Sequence, residues 1–325
     1  MKRLKKPLIV LTGPTAVGKT KLSLSLAKAV NGEIISADSM QVYRYMDIGS
    51  AKIHPDEMEG VPHHLIDVLE PSEDFNVVRF QTMALEAMED IYARGRLPIL
   101  TGGTGFYIQS VVKGIDFAEN DDDTACRRRL EALANERGNE YLHSCLCQAD
   151  PVSGASIHPN NRKRVIRALE YYEKTGRPIS AHNEQERQKE SPYQYAYFVL
   201  NEERGRLYEK IEQRIDQMME RGLLEEVKAL HRMGYTKDMV SMQGLGYKEL
   251  LSYLDGTCSL EEAVYTLKRD TRHFAKRQLT WFRRERDVIW LEKEAFDGRE
   301  DKILEYMLSV CEEKGIWKKY ETGNR

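Results

Sequence analysis

The sequence predicts an α/β fold: a parallel sheet flanked by helices, interrupted by an all-helical insertion. Three observations predict it. The β-preferring run Leu8-Ile9-Val10-Leu11-Thr12 leads into Gly13-Pro14-Thr15-Ala16-Val17-Gly18-Lys19-Thr20 and then a helical pattern, a strand, turn and helix that match G-x-x-x-x-G-K-[ST]. Strand-like runs recur after helical ones at Glu33-Ile34-Ile35-Ser36 and Leu97-Pro98-Ile99-Leu100, the alternation that parallel pairing requires because each crossover is a helix. Between 115 and 194 the chain turns polar and charge-dense, with turn signals at Asn120 to Asp123, His158-Pro159-Asn160-Asn161 and Thr175-Gly176-Arg177-Pro178, before Tyr195 to Leu200 resumes a strand. The expected organisation is a P-loop NTPase-like core of residues 1–114 and 195–325, with an inserted helical domain of residues 115–194.

The first glycine-rich turn reads as a phosphate cradle. Its glycines let backbone N–H groups along Gly13, Pro14, Thr15, Ala16, Val17, Gly18, Lys19 and Thr20 turn inward around phosphate oxygens, at the positive end of the following helix. Lys19 adds a point charge and Thr20 a hydroxyl for Mg²⁺. The pattern does not say whose phosphate is held: a nucleotide and any other pyrophosphate ester suit the same donors.

Leu22, Leu24, Leu26, Ala27 and Val30 give an apolar helix that Asn31-Gly32 ends, and the strand that follows completes a βαβ unit. Ala37-Asp38-Ser39-Met40-Gln41 then sits at the carboxyl end of the second strand, where open parallel sheets place ligand-contacting residues. Asp38 is a candidate catalytic carboxylate there, and equally a candidate turn cap. From 72 to 94, Ser72 and Asp74 are capping candidates, and Val77, Phe80, Met83, Ala84, Ala87, Met88 and Ile91 recur at helical spacing until Gly95. Thr101 to Tyr107 is a second glycine-rich turn, where backbone must approach something closely. Thr104 offers a hydroxyl beside the first cradle, or serves the turn alone. Residues 202–233 read as one long amphipathic helix through Leu207, Ile211, Ile215, Met218 and Met219. From Ser259 onward, Leu267, Phe274 and Trp281 repeat every seven residues, with Arg269, Arg272, Lys276 and Arg283 on a neighbouring stripe. Asp287 to Leu291 reads as a last strand, and the final polar residues of the chain as a fraying end.

Composition bounds the partners. A chain of 325 residues with 41% hydrophobic residues can bury a sizeable core over two domains. A formal net charge of −3 argues against indiscriminate nucleic-acid coating, so any such contact must come from local patches. Eight basic and two acidic residues lie between Lys268 and Arg286. Arg127-Arg128-Arg129, and Arg162-Lys163-Arg164 with Arg167, open two helices of the insertion, where the plainer reading is a solvated face. Five cysteines without a secretory leader read as reduced thiols in the cytoplasm. His143 near Cys145 and Cys147 lacks the second pair a zinc site needs. Asp121-Asp122-Asp123 leaves D-D-x-x-D incomplete and reads as a cap for a helix near Thr124. No membrane span is expected.

The cradle, Ile35-Ser36-Ala37-Asp38-Ser39-Met40-Gln41, Gly102 to Tyr107, His158-Pro159-Asn160 with Arg164 to Glu170, Gln243-Gly244-Leu245-Gly246-Tyr247-Lys248-Glu249, and Thr271-Arg272 through Lys276-Arg277-Gln278 to Trp281-Phe282-Arg283 together resemble the bacterial tRNA dimethylallyltransferase family over nearly the full chain. Phe106 stands where that family more often has Leu, and Gly49-Ser50-Ala51-Lys52 where Gly-Thr-Ala-Lys is usual. The resemblance implies transfer of a dimethylallyl group from dimethylallyl diphosphate to N6 of the adenosine 3′-adjacent to the anticodon of tRNA, with Mg²⁺. The cradle then holds the leaving group, Arg214 is an extra diphosphate contact or else a surface ion pair, and Asp38 takes the N6 proton. It also implies tRNA contacts at Asp38, Ser39, Met40, Gln41 and Thr104 near the flipped base, and at Arg127, Lys163, Arg164, Val165, Ile166 and Arg167 in the insertion. A monomer acting on the anticodon stem-loop is expected. The rivals are a small-molecule or nucleotide kinase, a prenyltransferase of free AMP or ADP, and a non-catalytic RNA-binding module. The last leaves Lys19, Thr20 and Asp38 without purpose, and the basic helices favour a macromolecular acceptor.

Overall fold

The computed structural model describes residues 5–117 and 124–318; Asp121, Asp122 and Asp123 lie outside the described residues. The chain divides into two compact units, one formed by Met1–Val112 with Pro192–Arg325 and one by Lys113–Ser191. In chain order the first unit opens with β1 (Lys6–Thr12), α1 (Lys19–Val30), β2 (Gly32–Ala37), β3 (His63–His64), α2 (Val77–Ala93), β4 (Leu97–Gly102) and α3 (Gly105–Lys113). The second holds α4 (Thr124–Arg137), α5 (Asn139–Ala149), α6 (Pro151–Ser156), α7 (Arg162–Thr175) and α8 (Ile179–Gln188). The first unit then resumes with β5 (Tyr193–Asn201), α9 (Arg204–Glu220), α10 (Leu223–Arg232), α11 (Tyr247–Leu254), α12 (Leu260–Phe282), β6 (Val288–Glu292) and α13 (Glu300–Glu313).

All six strands pair in parallel, in the order β3-β2-β4-β1-β5-β6. Leu8, Ile9, Val10 and Leu11 of central β1 are fully buried, as expected of a strand covered on both faces. Register matters most for function. Ala37 pairs with Gly102, Gly102 with Thr12, and Thr12 with Val199. The carboxyl ends of β2, β4, β1 and β5 therefore stand in one row, and Asp38, Gly103, Gly13 and the residues after Leu200 follow from it side by side.

Three local expectations change. Helix α2 starts at Val77, because Phe75 is buried against Tyr43, Phe80 and Tyr107 with ring centroids 5.6 to 6.4 Å apart and holds the preceding chain out of the helix. Asn76, rather than Ser72 or Asp74, caps it, accepting from the Val78 and Arg79 N–H groups at 3.0 Å. The stretch 202–233 is two helices, broken at Gly222, whose φ of 98° lies in the left-handed region. On α12 the buried positions are Ala263, Leu267, Ala275, Gln278 and Phe282, the stripe of a straight 3.6-residue helix rather than a seven-residue seam. Phe274 is left partly exposed with the Arg277 guanidinium over its ring. The chain after β6 forms α13, which buries Ile303, Met307, Val310 and Cys311, and the final residues expected to fray, 319–325, lie outside the described residues.

At the opposite end of the sheet from that row, Glu33 is 1% exposed and gathers Arg94, Arg96 and His64. Burial pushes its carboxyl up, but the hydrogen bonds and charges of Arg94 and His64 outweigh it and hold the pKa below 4.5. A depressed carboxyl pKa contributes stability that is present above the unfolded value and lost as pH falls through the folded one. We expect Glu33→Gln to lower the unfolding free energy at neutral pH by about 1 to 2 kcal/mol, modest because the arginines stay partly solvated. Denaturant titrations should show that deficit shrinking below about pH 4.5.

The second unit has its own core of Leu130, Ala134, Leu142, Leu146, Val165, Ile166, Ala168 and Leu169. Buried Asp150 ties α6 to α8, accepting from the backbone N–H and hydroxyl of both Ser153 and Ser180. Among the described residues no helix is long and apolar enough to cross a membrane.

Candidate active site

The row of strand ends assembles the site. Thr12 fixes β1 to β4 by donating its hydroxyl to the Gly102 carbonyl at 2.7 Å. Gly13 must be glycine, since a Cβ there would lie 2.3 Å from the Leu200 carbonyl oxygen. The loop curls through left-handed residues Ala16 (φ 64°) and Gly18 (φ 97°), and α1 begins at Lys19 with no side chain capping it. Its first N–H groups are therefore left for an anion, with the helix dipole behind them.

Lys19 reaches back over the loop and donates to the Gly13 carbonyl at 3.0 Å and the Pro14 carbonyl at 2.8 Å. Burial first, and then the Arg214 charge, pull its pKa down to about 7, against an opposing pull from Asp38. Arg214, on α9, is held below its ordinary value by burial, again with Asp38 opposing. The three residues thus share one electrostatic site. No carboxylate pairs with Arg214 among the described residues, so it is not the surface ion pair its helix position allowed. Thr20 is exposed at the head of α1.

Asp38 does two things with two oxygens. Its Oδ1 accepts from the Met40 N–H at 2.8 Å and the Gln41 N–H at 3.4 Å, the turn cap of one sequence reading. Its Oδ2 accepts no hydrogen bond among the described residues and stays available to a substrate. Ser39 is half-buried, as is Thr104, whose N–H donates to the Ala37 carbonyl at 3.2 Å beside it. Met40 instead packs on Gly244, and the Gln41 amide accepts from the Ser36 hydroxyl at 2.9 Å and points to the Ser50 and Ala51 carbonyls. Both residues hold the turn as much as they offer contact.

The cations sort themselves. In the inserted unit Val165 and Ile166 belong to the core, so the RNA contact expected of their side chains is ruled out by burial. Lys163 and Arg164 are exposed and Arg167 half-buried on the same helix. Arg127 holds a two-pronged pair with buried Glu170, at 3.1 and 3.0 Å. On α12, Lys268 pairs with Asp216, Arg269 with Asp270 and Arg272 with Glu212. Lys276, Arg277 and Arg283 are exposed, and no described carboxylate pairs with them.

Comparison with known proteins gives the family of the chain. The sequence model of the IPP transferase family matches residues 41–285, and that of the isopentenyl transferase family residues 6–70. A tRNA dimethylallyltransferase of Lachnoclostridium phytofermentans is 62% identical over 96% of this chain and 100% of its own. The chain belongs to the tRNA dimethylallyltransferase family. Among solved structures, the tRNA isopentenylpyrophosphate transferase of Bacillus halodurans is 48% identical, with a TM-score of 0.72 over 96% of this chain and 98% of that one. A eukaryotic dimethylallyltransferase acting on tRNA is 32% identical, with a TM-score of 0.74 over 88% of this chain and 74% of that one.

Three residues of this dimethylallyltransferase-family site were not assigned from sequence. Gln278 on α12 is buried between the two glycine turns, its Oε1 accepting from the Thr15 N–H and its Nε2 donating to the Gly103 carbonyl, each at 2.9 Å. Glu226 on α10 staples the loop after Gln41, accepting from the Asp47, Ile48 and Gly49 N–H groups and the Tyr247 hydroxyl at 2.7 to 3.1 Å. Lys293, after β6, places its ammonium beside Gly18 and 4.0 Å from Glu202. Only Gln278 left a sequence signal, a neutral amide in phase with the buried stripe of a basic helix.

Proposed function

We propose that the chain transfers a dimethylallyl group from dimethylallyl diphosphate to N6 of the adenosine 3′-adjacent to the anticodon of tRNA, giving N6-(dimethylallyl)adenosine and diphosphate. The observation that carries this reading is the meeting of an uncapped phosphate cradle, two cations and one half-free carboxylate at a single row of strand ends. In the reaction the N6 lone pair forms a bond to the allylic carbon, the carbon–oxygen bond breaks with its electron pair going to diphosphate, and the N6 proton passes to Asp38 Oδ2. An exocyclic adenine amine is a weak nucleophile because its lone pair is delocalised, so removal of that proton as the bond forms lowers the barrier. The cradle N–H groups, Lys19 and Arg214 stabilise the charge that builds on the departing oxygens.

Among the described residues no group of three or more carboxylates, histidines or cysteines could cage a metal. Mg²⁺ commonly takes only one or two protein oxygens and draws the rest from phosphates and water, and the exposed Thr20 hydroxyl suits that role. Bound there with diphosphate, the ion would offset the leaving-group charge.

The target base must leave its stack to reach such a site, which costs a few kcal/mol that backbone contacts offset. Lys276, Arg277 and Arg283, exposed on the helix α12 whose Gln278 reaches the cradle, are candidates to supply them, and Lys163, Arg164 and Arg167 are the candidates of the inserted unit. Replacing Lys276 and Arg283 together by Ala should lower the slope of log affinity against log salt by about 2, roughly one per phosphate contact. Filter binding across a salt series measures it, and an unaltered slope would make these charges a solvated face. Lys163→Ala with Arg167→Ala should likewise weaken binding and flatten its salt dependence.

The decisive test of the reaction is incubation with labelled dimethylallyl diphosphate, Mg²⁺ and unmodified tRNA, followed by digestion; the label should appear on the adenosine beside the anticodon. Tight ATP binding by calorimetry, with no response to dimethylallyl diphosphate, would favour a kinase instead.

A further inference from the structure

The first usable donor of the cradle is already taken. Pro14 has no N–H, so Thr15 is the first residue past Gly13 able to offer one, and that N–H donates to Gln278 Oε1 at 2.9 Å. The other end of the amide is fixed as well, since Nε2 donates to the Gly103 carbonyl at 2.9 Å. Reversing the amide would set donor against donor at Thr15 and acceptor against acceptor at Gly103, so the oxygen faces the loop. Gln278 is 6% exposed. Gly103 makes the room: a Cβ there would lie 2.1 Å from Nε2.

A phosphate chain laid along the loop from the α1 end meets the N–H groups of Thr20, Lys19, Gly18, Val17 and Ala16 before it reaches Thr15. Two phosphates can be served by the helix-proximal donors. A third, at the Thr15 end, would find no free N–H and would instead face the lone pairs of a carbonyl oxygen. An anion set against an acceptor with no proton between them is penalised, and more so where water is thin.

We propose that Gln278 is a specificity-determining residue of the cradle: its buried amide oxygen, seated on the Thr15 N–H, restricts the loop to diphosphates and turns away triphosphates such as nucleoside triphosphates. The proposal rests on the reading of the cradle as a diphosphate site.

The test is calorimetric binding of inorganic pyrophosphate and inorganic tripolyphosphate to the full chain at saturating Mg²⁺. Wild type should prefer pyrophosphate by about tenfold or more, the effect of one unfavourable contact to a charged group. In Gln278→Ala the ratio of the two affinities should fall toward one, because the Thr15 N–H is released and the opposing oxygen removed. In Gln278→Glu, which keeps an acceptor on Thr15 and adds charge, the preference should persist. Should the alanine variant lose its circular dichroism, Gln278→Met, close in volume and without the amide, is measured against the same expectation. A wild type without preference, or a folded Ala or Met variant that keeps it, overturns the proposal. Lys19→Ala separates the underlying reading: pyrophosphate binding that survives this change shows that the cradle is not its site, whereas binding lost there but with selectivity unmoved in the Gln278 variants defeats the present inference alone.

Discussion

Asp38→Asn is expected to lower turnover by about 10²- to 10⁴-fold while leaving tRNA affinity within a few-fold, as loss of a general base implies. The structure makes Asn the informative replacement. Oδ1 of Asp38 caps the turn through the Met40 and Gln41 N–H groups, and an asparagine carbonyl can accept the same two bonds. Only the second oxygen changes, from a proton acceptor to an amide that cannot take one. Asp38→Ala removes both functions, so it should show the same loss of turnover plus about 1 kcal/mol of lost stability, the ordinary worth of a cap. Single-turnover kinetics on unmodified tRNA with saturating dimethylallyl diphosphate isolate the chemical step. If Asp38→Asn turns over at near the wild-type rate while Asp38→Ala does not, the carboxylate serves the turn and another group accepts the proton.

Of the two readings of Asp38 that the sequence left in balance, the structure shows the turn cap on Oδ1 and leaves Oδ2 open to the other, because a carboxylate has two oxygens and sequence cannot divide them. What the sequence showed best was local and periodic. The strand, turn and helix of residues 8–30 announced themselves through hydrophobic runs punctuated by Gly13, Gly18 and Gly32, and the two glycine turns fell at strand ends because short connections leave them nowhere else. Where it misled, a long-range contact overrode a local signal. Ser72 and Asp74 are good caps by composition, but the burial of Phe75 against Tyr43 and Tyr107 delays α2 until Asn76. Lys163 to Arg167 reads as one basic segment, yet helical geometry turns Val165 and Ile166 inward. The partners of Gln278 and Glu226 were hidden for another reason. A glutamine or glutamate on an amphipathic helix carries no mark of the backbone N–H group it will meet in a loop 263 or 179 residues away in sequence.

Lys19→Ala is expected to lower kcat/KM for dimethylallyl diphosphate by about 10²- to 10³-fold, the usual cost of one preorganised donor to developing charge. The pH dependence makes the assignment specific. Burial and the neighbouring Arg214 bring the Lys19 pKa to about 7, so in the free protein the ammonium is complete below that pH and is lost as pH rises through it. Only the charged form binds diphosphate well, and kcat/KM reports the free enzyme. The wild-type profile should therefore fall on the alkaline side from about pH 7. Lys19→Arg, whose guanidinium stays charged, should lose that limb even if its poorer fit lowers the plateau. The neighbours give the sign a second check. Arg214 depresses the Lys19 pKa and Asp38 supports it, so Arg214→Ala should move the alkaline limb to higher pH and Asp38→Asn to lower pH. A limb that stays in place in both variants belongs to some other group, and the three residues then do not share one electrostatic site.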